Sequence, residues 1–150
     1  HFPDKAALMQ ALALAGLDIL WRYQSGATEA ALRAGKDAGA AFCASGAAYV
    51  RFALDHPRLF ELMWQCRPPK LHDDATDEDQ HPAMRDLQAS IAAMLPASAS
   101  AEQRNDAALL CWSLVHGLAT LALQQQIEID AVAVERIIHE GTRRLWGSGR

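Results

Sequence analysis

The sequence predicts an all-α protein, an antiparallel bundle of about six helices, and three observations carry that expectation. Alanine, the strongest helix former, recurs throughout and is densest from Ala38 to Ala48. Apolar residues return at helical spacing over most of the chain, and no run alternates Val, Ile or Thr with polar residues as a half-buried strand does. The periodic stretches open on residues that cap or start helices: Asp4, Pro57, His81-Pro82, Ser100 and Asp130.

The first helix starts at Asp4, whose side chain can accept from the free amides beyond Pro3. Leu8, Leu12, Ile19 and Tyr23 form its apolar stripe, widened by Met9 and Leu20. Ser25-Gly26 ends it or marks a break, and Ala27 to Gly35 reads equally as helix or loop. A second helix runs from about Asp37 to Asp55 with Phe42, Tyr49 and Phe52 on its apolar face. Its small residues, among them Gly39, Ala44 and Gly46, let a neighbouring helix approach closely. Asp55-His56-Pro57 breaks the pattern, because a residue before proline avoids the α region. Pro57 then suits the first turn of a short helix, Arg58 to Gln65.

Arg67 to Gln80 has no periodicity and reads as a surface loop. Its His and acidic residues, His72 to His81, invite a metal reading. They form no i, i+4 pair on a rigid helix and lack the glycine of a calcium loop, so no metal is expected. His81-Pro82 begins the next helix, with Met84, Leu87, Ile91 and Leu95 on one face. Ser100 caps a helix reaching about Gln124, and Gln103 stands where a capping box needs it. Leu110, Leu114, Leu118 and Leu121 lie on one side of that helix; Trp112, Val115, Ala119 and Ala122 lie on another. A helix apolar nearly all round is buried on more than one side, and a second chain can supply one of them. Asp130 caps the last helix, which carries Val134, Ile137, Ile138, Gly141 and Leu145.

A length of 150 residues, 51% of them hydrophobic and 21% charged, suits one soluble domain with a real core. A net charge of −4 gives these residues no nucleic-acid-binding surface of their own. Three cysteines, Cys43, Cys66 and Cys111, form no Cys-x-x-Cys pair and point to a reducing, cytoplasmic setting. Cys66 reads as an inert thiol before it reads as a sensor. The apolar stretch Ala107 to Leu123 holds Ser113, His116, Gly117 and Thr120, which favours a buried helix over a membrane span.

Two pieces of the chain resemble the TetR family of bacterial transcription regulators. The first is His1-Phe2-Pro3-Asp4-Lys5-Ala6-Ala7-Leu8, similar to the His-Phe-x-x-Lys-x-x-Leu junction between that family's recognition helix and its long fourth helix. The second is Trp112-x-x-x-His116-Gly117-Leu118, preceded by Tyr49-Val50-Arg51-Phe52-Ala53-Leu54-Asp55-His56-Pro57. Together they look like the subgroup whose C-terminal region is called the WHG domain. The resemblance implies a helix-turn-helix headpiece that would precede these residues. It makes 1–8 the remnant of the headpiece junction and 9–150 the ligand-binding and dimerisation domain.

The same resemblance implies roles for residues. His1 and Lys5, at a helix amino end, would contact DNA phosphate, positioning the protein without reading bases; the plainer reading is a solvated lysine beside a capping aspartate. Phe42, Tyr49, Met63, Met84, Leu87 and Ile91 would line the effector pocket, although such faces are more often plain core. Trp112 and His116, one turn apart, either join that pocket or stay in the core, with His116 satisfied by a backbone carbonyl. Leu114, Leu118, Leu121, Val134, Ile138 and Leu145 would form a homodimer interface through the last two helices of each chain. The expected function is a ligand-responsive regulator, a repressor, whose effector is small, hydrophobic and uncharged. Its partners would be a second copy and operator DNA through the headpiece. No nucleophile motif, Gly-rich phosphate loop or His-Glu-x-x-His occurs, so neither catalysis nor a cofactor is expected. The alternative is a pure dimerisation module without a ligand.

Overall fold

In a computed structural model, residues 2–66 and 81–147 are described, with side chains to 144. They form six helices: α1 (Lys5–Arg33), α2 (Ala38–Asp55), α3 (Pro57–Gln65), α4 (Pro82–Met94), α5 (Ala101–Leu123) and α6 (Ala131–Gly147). The expected caps are in place. Asp4 accepts from the Ala7 amide at 2.8 Å and Asp130 from Ala133 at 2.7 Å, and Asp37, read only as the start of the second helix, caps it as well by accepting from Ala40 at 2.8 Å. Ser100 and Gln103 complete a reciprocal capping box at the start of α5. The segment read as a loop, Arg67 to Gln80, lies outside the described residues, as does His1.

The break expected at Ser25-Gly26 is absent. α1 runs through both residues and ends at Arg33. A mid-helix glycine costs about 1 kcal/mol relative to alanine, a small penalty against the packing of α1 along α2. The stop falls at Gly35, at φ +76°, where the Gly35 amide donates to Leu32 and the Lys36 amide to Ala31. That paired arrangement satisfies the last carbonyls and favours a residue without a Cβ. α5 ends the same way around Gln125, at φ 55°, although glutamine carries the Cβ that glycine lacks.

α2 is the central helix, packed against α1, α5, α6 and α3. Its small residues allow this: a Cβ on Gly46 would stand 3.0 Å from Ile138 and 3.2 Å from Val115. Gly16 does the same for α1 against α3, where a Cβ would fall 2.6 Å from Met63. The interior divides into two clusters. The larger gathers Leu17, Leu20, Tyr49, Phe52, Phe60, Met63, Val115 and Ile138; the smaller gathers Met84, Ile91, Ala107, Ala108 and Cys111 between α4 and α5. Trp112 packs against both.

Among the described residues, two apolar faces stay uncovered. Phe2, Leu8 and Leu12 are exposed at the start of α1, so the stripe read along that helix is buried only from Ala13 onward. α5, read as apolar nearly all round with one of its sides open to a second chain, leaves Leu109, Leu110 and Leu121 exposed. It is also long and apolar enough to cross a membrane by length and composition, with 28% of its most apolar window buried.

Candidate functional site

A cavity of about 360 Å³ opens at the seam between the two core clusters, within the range of small-molecule sites. Phe42, Tyr49 and Trp112 form its aromatic floor, and Met84 and Leu87 on α4 close the far side. Trp64 at the end of α3, Leu114 and Val115 on α5, Leu20 on α1 and Ile138 on α6 add to the apolar lining. One edge differs in character. Along α1, beyond Leu20, the wall consists of Trp21, Gln24, Ser25, Thr28 and Glu29, a single helical face, and it meets Asp86 and Ser90 on α4.

α4 is held over the cavity by two polar links to α1, one helical turn apart. The Trp21 indole N–H donates to Asp86 Oδ2 at 2.8 Å. His81 Nδ1 accepts from the Ala83 amide at 3.2 Å, which leaves its Nε2 to donate to Asp18 at 3.2 Å. His81 thus caps α4 and anchors it at once.

Behind the floor lies a directional chain of hydrogen bonds. The Trp112 indole can only donate, and it reaches the Tyr49 hydroxyl at 3.4 Å. The Tyr49 proton is then free to point at His116 Nδ1, 2.9 Å away. His116 therefore carries its proton on Nε2, with its ring stacked on Phe60 and edge-on to Trp64. Burial lowers its pKa and keeps it neutral. Burial likewise pushes the Tyr49 phenol well above its ordinary value and the Cys111 thiol up to about 11. The cavity wall built by these side chains is uncharged at neutral pH. Trp64 Nε1 is buried without a hydrogen-bond partner among the described residues.

Five of the eight residues expected at the pocket are brought together on its wall: Phe42, Tyr49, Met84, Leu87 and Trp112. Met63 is not among them, since it is fully buried beneath Gly16 in the α1–α3 contact. Ile91 is not either; it points into the smaller cluster between α4 and α5. His116 stands one bond behind the wall, and its partner is the Tyr49 hydroxyl, not the backbone carbonyl expected for it. The polar edge on α1 was missed altogether. Its signal was present as Trp21, Gln24, Ser25, Thr28 and Glu29, recurring every three or four residues, but only if the helix is read through Gly26.

Of the residues expected at a dimer interface, Leu121 is exposed on α5 with Leu110, whereas Leu118 is half-buried against the larger core and Leu114 packs there too, lining the cavity and standing 2.9 Å from where a Cβ on Gly141 would fall. Val134 and Ile138 are buried as well: both are turned into the chain's own core against α2, so no surface is left on them for a second copy. The side chain of Leu145 lies outside the described residues. Lys5 is exposed at the first position of α1.

A family model described as tetracyclin repressor-like, C-terminal domain, matches residues 42–145. Among solved structures, a protein of unknown function from Rhodococcus sp. RHA1 is similar, with a TM-score of 0.65 and 29% identity over 99% of this chain and 74% of that one. No curated protein matches. Tetracycline repressor-like proteins are a regulator family whose C-terminal domains generally dimerise and bind effectors. By its match over most of its length and its all-helical architecture, this chain belongs to the TetR family, and residues 42–145 are its C-terminal domain.

Proposed function

We propose that the chain is the effector-binding and dimerisation part of a cytoplasmic, non-catalytic transcription regulator that acts as a repressor. The observation that carries this reading is the cavity at the seam of the two cores. It is large enough for a small molecule, and most of its wall is aromatic, aliphatic or thioether. A module serving dimerisation alone has no need of such a space, which costs dispersion contacts on all sides. The effector is small and largely apolar, buried against Phe42, Met84 and Leu87.

α1 is the output lever. Its second half forms the polar edge of the cavity, and its first turn carries Lys5 and the exposed Phe2, Leu8 and Leu12. A DNA-binding headpiece docked on those apolar side chains would feel any shift of α1, and Lys5 would touch the phosphate backbone. An effector that prefers one setting of α1 by about 1.4 kcal/mol changes DNA affinity tenfold.

The second copy docks on α5. Leu110, Gly117, half-buried Leu118 and Leu121 follow one another at helical spacing, and a Cβ on Gly117 would meet nothing within 4 Å. An apolar stripe with a glycine in open space suits close approach of a twofold-related helix. Covering it accounts for the exposed apolar side of α5 without a membrane.

Three tryptophans, Trp21, Trp64 and Trp112, line the cavity, so occupancy has a direct optical readout. Titrating neutral two-ring aromatic compounds should quench their emission saturably and raise the melting temperature together, because the ligand binds only the folded state. If neither signal responds to any apolar compound of this size, the effector reading fails and the dimerisation module remains.

A further inference from the structure

Resting on the effector reading above, we infer that the cavity selects an organic cation: an apolar, aromatic body that places an ammonium group at the edge between α1 and α4. The charge balance of the lining is one-sided. Among the described residues that form the wall, Asp86 and Glu29 are acidic, and none is lysine, arginine or histidine. An anion entering this cavity would meet two carboxylates and no basic side chain on the wall, whereas a cation is compensated on arrival.

The geometry of the edge strengthens the case. Asp86 receives the Trp21 N–H on Oδ2 at 2.8 Å, which orients the carboxylate and leaves Oδ1 to accept from a ligand. The Trp21 ring thereby stands beside a fixed negative charge, and both line the same space. An aromatic face next to a carboxylate is the combination that holds ammonium groups, through the ring quadrupole and a charge-assisted hydrogen bond. Gln24, Ser25 and Thr28 extend the edge toward Glu29, supplying side-chain oxygens for the remaining N–H groups of a primary amine. Thr28 already donates its own proton to the Gln24 carbonyl at 3.0 Å, so its oxygen faces further partners as an acceptor. Glu29 also meets Arg33 at 3.3 Å, but both side chains are largely exposed. A pair of that kind is screened by solvent and yields readily to a ligand. The wall away from this edge, with Phe42, Tyr49, Met84 and Trp112, carries no carboxylate; its hydroxyls are those of Ser45, of Thr142, which donates to the Ile138 carbonyl, and of Tyr49, which is engaged with His116. The ligand's orientation follows: ring system inward, ammonium at the α1–α4 edge.

The experiment compares three probes of one shape and different charge, naphthylmethylammonium, naphthylmethanol and naphthoate, by calorimetry on the whole chain at neutral pH. The ammonium should bind about tenfold more tightly than the alcohol at low salt, with naphthoate weakest. Because the edge is partly open to solvent, that preference should shrink as salt is raised. In the double variant Asp86→Asn, Glu29→Gln the ammonium should bind no more tightly than the alcohol and the salt dependence should vanish, while α4 stays anchored because an amide oxygen at position 86 can still accept from Trp21. Equal binding of ammonium and alcohol, a preference that salt does not touch, or tightest binding of naphthoate would overturn the charge selection and leave the apolar-effector reading standing. Failure of all three probes to bind would bring down both. Should the double variant not fold, the salt dependence measured on the unchanged chain decides the question.

Discussion

Tyr49 on α2 donates its hydroxyl proton to Nδ1 of His116 on α5 across 2.9 Å, which joins a residue of the cavity wall to one behind it. The Trp112 indole, one turn before His116, completes the chain by donating to the same hydroxyl. The tryptophan and histidine four positions apart are thus not two separate features. They converge on one tyrosine of another helix, and a single hydroxyl satisfies both.

Removing that hydroxyl leaves two partly buried polar groups without a partner. Tyr49→Phe should destabilise the chain by about 1–3 kcal/mol in urea unfolding, with little loss of apolar packing. A loss no greater than a few tenths of a kcal/mol would show that water replaces the hydroxyl without penalty.

Burial depresses the His116 pKa, and the sign of its effect on stability follows. The unfolded imidazole takes up a proton near its ordinary value of about 6.5, whereas the folded one waits for lower pH. Between those two values the unfolded state holds more protons, so stability is full above the ordinary value and falls as pH falls toward the folded value. His116→Asn, which keeps an acceptor near the Tyr49 hydroxyl, should flatten this slope in unfolding curves taken across pH. An unchanged slope would assign the dependence to other groups.

The exposed stripe on α5 predicts a dimer that one charge disrupts. Leu121 is 42% exposed within the chain, so Leu121→Glu should leave the fold and the helical circular dichroism intact. Sedimentation should show the unchanged chain as a dimer at micromolar concentration and the variant as a monomer. A monomeric unchanged chain would remove the second copy from the proposal.

Met84 and Ile91 lie on the same helix but differ in role. Met84→Gln alters the cavity wall and should weaken an apolar ligand by about tenfold, the loss of roughly 1.4 kcal/mol of contact. Ile91→Val, in the packed cluster behind, should cost about 0.5–1.5 kcal/mol of stability and leave affinity alone. Equal effects on affinity would mean that α4 responds as a rigid unit.

Gln125 occupies the left-handed conformation that Gly35 occupies at the end of α1. Gln125→Gly relieves a Cβ conflict of about 1–2 kcal/mol and adds chain entropy to the unfolded state, for a net gain of roughly 0.5–1 kcal/mol. Thermal melting should show a small rise, and a fall would mean that the glutamine side chain contributes something at this position.

The helices were legible in the sequence because their signals are local. Caps such as Asp4, Asp37, Ser100 and Asp130 act on amides three residues away, and apolar periodicity reports which residues share a face. Family likeness also carried Phe42, Tyr49, Met84, Leu87 and Trp112 to the cavity. It could not separate these from Met63 and Ile91, since lining a space and filling a core ask for the same side chains. What divides them is where helices cross: Gly16 brings α1 down onto Met63, and Gly46 draws α2 onto Ile138 and Val115. The continuation of α1 through Gly26 was likewise a tertiary decision. Packing of α1 against its neighbours outweighs a local penalty of about 1 kcal/mol, and only then do Trp21, Gln24, Thr28 and Glu29 fall on one edge facing Asp86. The inward turn of Val134 and Ile138 has the same origin, because α2 offers them an apolar partner inside the chain, while α5 leaves Leu109, Leu110 and Leu121 exposed and packs Leu114 and Leu118 against the core.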